Sequence, residues 1–203
     1  MIDLKILSPN DLTQIYAIID LQELPQQVKD SYKLSYRLKM SSPGNFIFGE
    51  YDDEKNRFLN FINYSIILPL QRNKFEAVQG IYWSLDKEIK YLKFYNEHTE
   101  SAIIDFFRKK HFTVFYNISS LDRKWTSLFD DPTKFKSEIV ETVPANTRIK
   151  NPVLEQHLTM FNFTFPQPTK ILKYTDLNPL PMPEFQDEPV SVEHPPHVPV
   201  PKN

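Results

Sequence analysis

Apolar residues recur along this chain with two periods, and the switches between them mark the elements. Leu12, Ile15, Tyr16 and Ile19 return every three or four residues, the spacing of one helix face. Ser8-Pro9-Asn10-Asp11 in front of them places a hydroxyl at the N-cap and a carboxylate at the third helical position. Pro9 takes the first helical position, where its missing N–H costs nothing. Tyr32–Met40 satisfies both periods. Tyr32, Leu34, Tyr36, Leu38 and Met40 alternate with polar residues as in a strand, whereas Val28, Tyr32 and Tyr36 make a helical stripe, so the pattern leaves this segment open.

Phe46–Tyr51 and Arg57–Leu68 are rich in aromatic and β-branched residues and flank the polar turn Asp52-Asp53-Glu54-Lys55-Asn56, which predicts a hairpin. Ala77–Leu85 reads as a strand with Ala77, Gln79, Ile81, Trp83 and Leu85 on one face. A helix is predicted near Thr99–Lys110, with Ala102, Ile103, Phe106 and Phe107 inward and Arg108, Lys109 and Lys110 in the last turn, where cations suit the helix dipole. Phe112–Ile118 is the next strand. Ser120 is expected to cap a helix carrying Leu121, Trp125, Leu128 and Phe129, and Lys134–Val143 and Thr169–Tyr174 complete the strands. Such an order predicts a mixed α/β domain.

Composition narrows the chemistry. The chain has 203 residues, no Cys and only 3 Gly, where ordinary usage of about 7% predicts roughly 14. Gly44 and Gly49 are followed by Glu50 and Tyr51 rather than by Lys-Ser/Thr, so P-loop and dinucleotide-binding readings are excluded. Without Cys there is no disulfide framework, thiolate zinc site or Cys nucleophile. A net charge of −2 gives no general pull toward nucleic acid or an anionic membrane. With no apolar stretch near the ~20 residues that span a bilayer, and no signal-peptide pattern, a soluble protein is expected.

The C-terminal end has its own character. Ten of the 17 prolines lie between Pro166 and Pro201, and residues 176–203 hold five acids against one base. The expected plan is a globular domain over 1–175 and an acidic, proline-rich arm over 176–203. An arm with few backbone donors and little apolar surface extends in polyproline-like fashion and suits docking on a partner. Its candidate partner-binding residues are Pro179, Pro181, Pro183, Phe185, Pro189, Pro195, Pro196, Pro199 and Pro201.

The element order, with Phe46–Tyr51 and Phe58–Asn63 as the hairpin, then helix 99–110, strand 112–118 and the Trp125 helix, resembles the GNAT acetyltransferase superfamily over roughly residues 1–175. The resemblance implies a twisted mixed sheet splayed between its fourth and fifth strands, here Ala77–Leu85 and Phe112–Ile118, with acetyl-CoA in the split. It also implies a glycine-bearing loop after the fourth strand, whose backbone N–H groups grip pyrophosphate at a helix N-terminus. Residues 86–99 contain no glycine, and the stretch Trp125–Pro132 lacks the tyrosine the family uses as general acid. Both departures imply that the cofactor chemistry has been lost. A degenerate coenzyme loop with a long C-terminal extension resembles GNAT-like proteins encoded by tailed bacteriophages.

The leading expectation is therefore a non-enzymatic assembly protein, a virion component that binds no cofactor and packs against other subunits while its arm straps a neighbour. It would reside in the virion, or in the host cytoplasm during assembly, with no nucleic-acid or membrane contact. The alternative is an active N-acetyltransferase using acetyl-CoA through an unorthodox loop. Under that alternative Glu76 and Glu50 are the carboxylates nearest the position of a general base. His98 and His111 flank the helix as base or cap. His194 and His197 make an incomplete metal site on a solvated arm, and Arg108-Lys109-Lys110-His111, with Arg123-Lys124, forms the basic cluster.

Overall fold

In the computed structural model, residues 2–67, 75–85, 98–120, 127–158 and 164–181 are described. Seven strands form one sheet: β1 (Ile2–Ile6), β2 (Asn45–Asp52), β3 (Arg57–Ile67), β4 (Phe75–Ser84), β5 (Phe112–Ser120), β6 (Phe135–Val143) and β7 (Thr169–Asp176). Their spatial order is β1-β2-β3-β4-β5-β7-β6. Every neighbouring pair is antiparallel except β4 and β5, which run parallel and are joined through the helix between them. Among the described residues the helices are α1 (Leu12–Asp20), α2 (Gln26–Ser41), α3 (Glu100–Arg108) and α4 (Pro152–Leu158).

The sheet is covered on both faces, as a layered α/β domain requires. On one face α3 lays Ile103, Ile104 and Phe107 onto Phe48, Ile62, Tyr64, Ala77 and Phe115. On the other, α1 contributes Ile15, Ile18 and Ile19, and α2 contributes Tyr32 and Tyr36, against Ile47, Phe61 and Trp83. Leu154 of α4 joins Val78, Val143 and Ile171 on that second face.

The open segment resolves as helix. Pro25 precedes α2, Tyr32 and Tyr36 are buried, and Leu34 and Leu38, which a strand would have placed beside them, are 58% and 59% exposed. Ahead of α1, Pro9–Asp11 form a single 3-10 turn whose Asp11 carboxylate accepts from Ser8 N–H and Oγ at 2.8 and 2.9 Å. Past α3, Ser120 ends β5 opposite Thr169, and the start of the helix expected after it lies outside the described residues. The hydroxyl of Ser127 accepts the Phe129 N–H at 3.2 Å and starts a 3-10 turn over Leu128–Asp130, with Pro132 close behind. Leu121, Trp125, Arg123 and Lys124 lie outside the described residues.

β4 does not keep one face. Its register against β3 advances from Ile62↔Tyr82 to Tyr64↔Gln79, so one extra residue sits on β4 across from Asn63. Ala77 therefore faces α3, while Ile81, Trp83 and Leu85 face α1 and α2. Gly80 occupies the bulge because a Cβ there would lie 2.2 Å from Asn63 Oδ1. Asn63 has no room to yield: it is fully buried, and its Oδ1 accepts from Tyr36 Oη at 3.1 Å, which in turn accepts from Trp83 Nε1 at 2.8 Å. Gly80→Ala is expected to destabilise the fold by about 1–3 kcal/mol, read as a lowered urea midpoint. Unchanged stability would mean that the bulge relaxes.

Arg108 closes the α3 side. Its guanidinium grips the buried Asp176 carboxylate through Nε and a terminal nitrogen at 2.6 and 2.9 Å, tying the end of α3 to the end of β7. Asp176, assigned by composition to the arm, is thus the last residue of the sheet. Pro179 and Pro181 follow it fully exposed, and Pro183, Phe185, Pro189, Pro195, Pro196, Pro199 and Pro201 lie outside the described residues.

Candidate active site

β4 and β5 share a ladder only at their beginnings, from Phe75↔Phe112 to Val78↔Tyr116. Beyond that point β5 stays with β7 through Ser120, and β4 stays with β3 through Ser84. The sheet is split. Past that last pair, Gln79–Ile81 present backbone N–H and C=O groups with no β5 ladder partner among the described residues, and buried groups of this kind need one; further along, the Ser84 carbonyl accepts from Gln22 Nε2 at 3.0 Å.

The start of α3 bridges the split. Thr99 Oγ1, just before the helix, donates to one oxygen of Glu50, and Asn60 Nδ2 donates to the other; Glu50 is buried on β2. Glu100, the first residue of α3, reaches the opposite side: its buried carboxylate accepts from Ser127 Oγ and, at 2.7 Å, from Leu128 N–H. One carboxylate ties the start of α3 to β2, the other to the 3-10 turn ahead of β6. Glu50 thereby serves as a structural acceptor, held from two sides on the α3 face.

Side chains along the split are polar and buried. By strand alternation Gln79, Asn117 and Ser119 share the α3 face with Ala77 and Phe115, and all three are less than a tenth exposed. The Oε1 atom of Gln79 has no hydrogen-bond partner among the described residues. A buried amide oxygen without a donor is costly and marks a place for a ligand N–H.

Glu76 stands on the opposite face. It pairs with Ile67 across β3 and lies two residues before the last β4–β5 pair. Tyr116 Oη donates to Glu76 Oε2 at 3.2 Å. Burial, and then the Glu76 charge, push the Tyr116 hydroxyl up to about 12, so it keeps its proton as a donor. The two carboxylates singled out in the sequence thus sit on different faces, and the partnership of Glu76 with Tyr116, forty residues away, had no local signal.

The histidines take lesser places. His98 is exposed ahead of α3. His111 follows α3 with φ +60° and donates its N–H to the Arg108 carbonyl at 2.9 Å, a C-terminal cap. His194 and His197 lie outside the described residues, among which no His, Asp and Glu cluster could hold a metal. Phe129, where a catalytic tyrosine was sought, is buried against Phe115, Phe135 and Tyr174.

Acetyl-CoA is the cofactor that the resemblance implies. The β4 edge just past its last β5 pair and the donor-seeking Gln79 oxygen fit an extended, amide-bearing chain entering the split. Segment 86–97, glycine-free and expected to have lost the diphosphate grip, lies outside the described residues.

No family model matches the chain, and no curated protein matches it in sequence. Solved structures do match. A probable acetyltransferase from Staphylococcus epidermidis superposes with a TM-score of 0.59 at 10% identity, covering 88% of this chain and 100% of its own. The ribosomal-protein-S18-alanine N-acetyltransferase from Escherichia coli gives 0.56 at 10%, covering 89% and 97%. A spermidine N-acetyltransferase mutant from Vibrio cholerae gives 0.51 at 13%, covering 85% and 92%. All three are acetyltransferases, and nothing in them points to a virion. The expectation of a non-enzymatic virion scaffold is corrected accordingly; it rested on a glycine-free loop, a missing tyrosine and a C-terminal extension, none of which describes the β4 edge beside the split. Sheet, split and helix order together give this chain the GNAT acetyltransferase fold.

Proposed function

We propose that this protein is an N-acetyltransferase that moves an acetyl group from acetyl-CoA to an amine. The observation that carries this reading is the parting of β4 from β5 just past Glu76, which leaves a buried polar slot on one face and a carboxylate on the other. Backbone groups of Gln79–Ile81, the Gln79 amide, Asn117 and Ser119 would hold the coenzyme arm. When bound, acetyl-CoA supplies a thioester carbonyl as the electrophile.

Glu76 acts as the general base. Tyr116 holds Oε2 by its hydrogen bond, leaving Oε1 to take the proton of the incoming amine as its nitrogen bonds to the acetyl carbon, the C–S bond breaks and the sulfur departs as a thiolate. Half-burial of both residues limits competition by water. The enzymes similar in structure act on an N-terminal alanine of a ribosomal protein or on spermidine, and both acceptors are amines.

Titration calorimetry with acetyl-CoA, together with thiol release in the presence of an amine panel, tests this. Saturable one-to-one binding and amine-dependent release of coenzyme thiol are the expected results. Absence of both would overturn the proposal.

A further inference from the structure

A cavity of about 740 Å³ opens on the face that carries Glu76, between the end of α2, the end of β3 and α4. Ile67, which lines it, is the direct cross-strand partner of Glu76, so the cavity ends one strand away from the base, which does not itself line it. Its polar lining among the described residues comprises Lys39, Asn45, Ser65, Gln156 and His157, with no carboxylate. Among the same residues no acid pairs with Lys39, whose ammonium lies 5.5 Å from the Tyr36 ring centre. Burial pushes this lysine down to about 8, and burial together with the Lys39 charge holds His157 below the usual histidine range. An under-solvated cation in an open cavity calls for an anion.

We infer that the acceptor is a small amine that also carries a carboxylate, an amino-acid-class molecule whose carboxylate pairs with Lys39 while its amine is presented to Glu76. Asn45 and Gln156 supply amides, and Ser65 Oγ, which donates to Asn45 Oδ1 at 2.8 Å, fixes one of them. A polyamine would meet one cation and no acid in this cavity, so a spermidine-type acceptor is disfavoured. This inference rests on the acetyltransferase reading and adds the substrate class.

The test pairs each of several α-amino acids with its own carboxamide, with spermidine as the carboxylate-free polyamine, in acetyl transfer by wild type, Lys39→Met and Lys39→Arg. The amine of a carboxamide is less basic and so more fully deprotonated at neutral pH; amine reactivity alone would favour it. Wild type is expected to prefer the amino acid by about tenfold or more in kcat/KM, with Lys39→Met losing that preference through KM at nearly constant kcat and Lys39→Arg keeping it. Equal or better use of carboxamides or spermidine by wild type, or an undiminished preference in Lys39→Met, would overturn the inference. Calorimetry with acetyl-CoA alone separates the two levels. No coenzyme binding removes both readings, whereas binding with carboxylate-indifferent transfer removes only this one.

Discussion

Glu76→Gln is expected to lower kcat for acetyl transfer by about 10²–10⁴-fold, the range that a positioned general base contributes, while leaving acetyl-CoA affinity and the urea midpoint near wild type. Glutamine keeps the volume and still offers Tyr116 a carbonyl oxygen, so the side chain stays in place and only proton acceptance is lost. Steady-state kinetics beside coenzyme calorimetry read the two effects separately. Retention of most of the rate would place the base elsewhere, with Glu50 the next carboxylate to examine. The partner residue adds a pH signature. With its hydroxyl pushed up to about 12 by burial and by Glu76, Tyr116 remains protonated through the working range. The rate profile should then show no alkaline fall assignable to it below about pH 11.

The largest expected loss of stability is at Phe107. Its ring is fully buried and meets six others, those of Phe46, Phe48, Tyr64, Phe106, Phe112 and Phe115, at centroid distances of 5.0–6.0 Å. Truncation removes the transfer free energy and leaves a cavity walled by rigid rings that cannot collapse into it. Phe107→Ala should cost about 3–5 kcal/mol. Phe106, one position along and half-buried, is the control: Phe106→Ala should cost clearly less. Chemical denaturation of both variants decides, and equal losses would mean that the α3 face does not centre on Phe107.

What could be read in advance followed from locality. Hairpin β2–β3, strands β5 to β7 and helix α3 carry their period within the element; β4 was located, but its single face was misread because the bulge at Gly80 breaks the alternation. β1 went unread although Ile2, Leu4 and Ile6 alternate with Asp3 and Lys5, because five residues on a sheet edge, paired on one side only, resemble any short polar lead-in. α4 was missed too. Its signal was Asn151-Pro152: proline takes the first helical position, and Asn151 Oδ1 accepts the N–H groups of Val153 and Leu154 at 3.1 and 3.2 Å. The ambiguity of α2 was real at the level of pattern and was resolved by burial of Tyr32 and Tyr36 alone.

The site was legible only in part. Glu76 and Glu50 could be named as carboxylates beside the fourth strand, but their separation onto opposite faces depends on strand pairing. Tyr116 and Lys39 come from distant elements, so no spacing in the sequence joins them to Glu76. The virion reading gave a missing glycine motif, a missing tyrosine and a C-terminal extension the weight of the whole cleft, whereas the polar slot is built mainly from strand backbone and buried amides, which composition does not reveal.

The extra residue opposite Asn63 has an evolutionary corollary. Strand β4 serves two layers by exchanging inside for outside at Gly80, so the tryptophan wedged beneath α2 and the alanine beneath α3 are both correctly placed only while the count between them is kept. Side chains along this strand can drift one at a time, each at its own modest cost, but losing or gaining a single codon there would turn every residue beyond it to the wrong layer. Lineages of this protein should therefore vary in letters at β4 and remain constant in length.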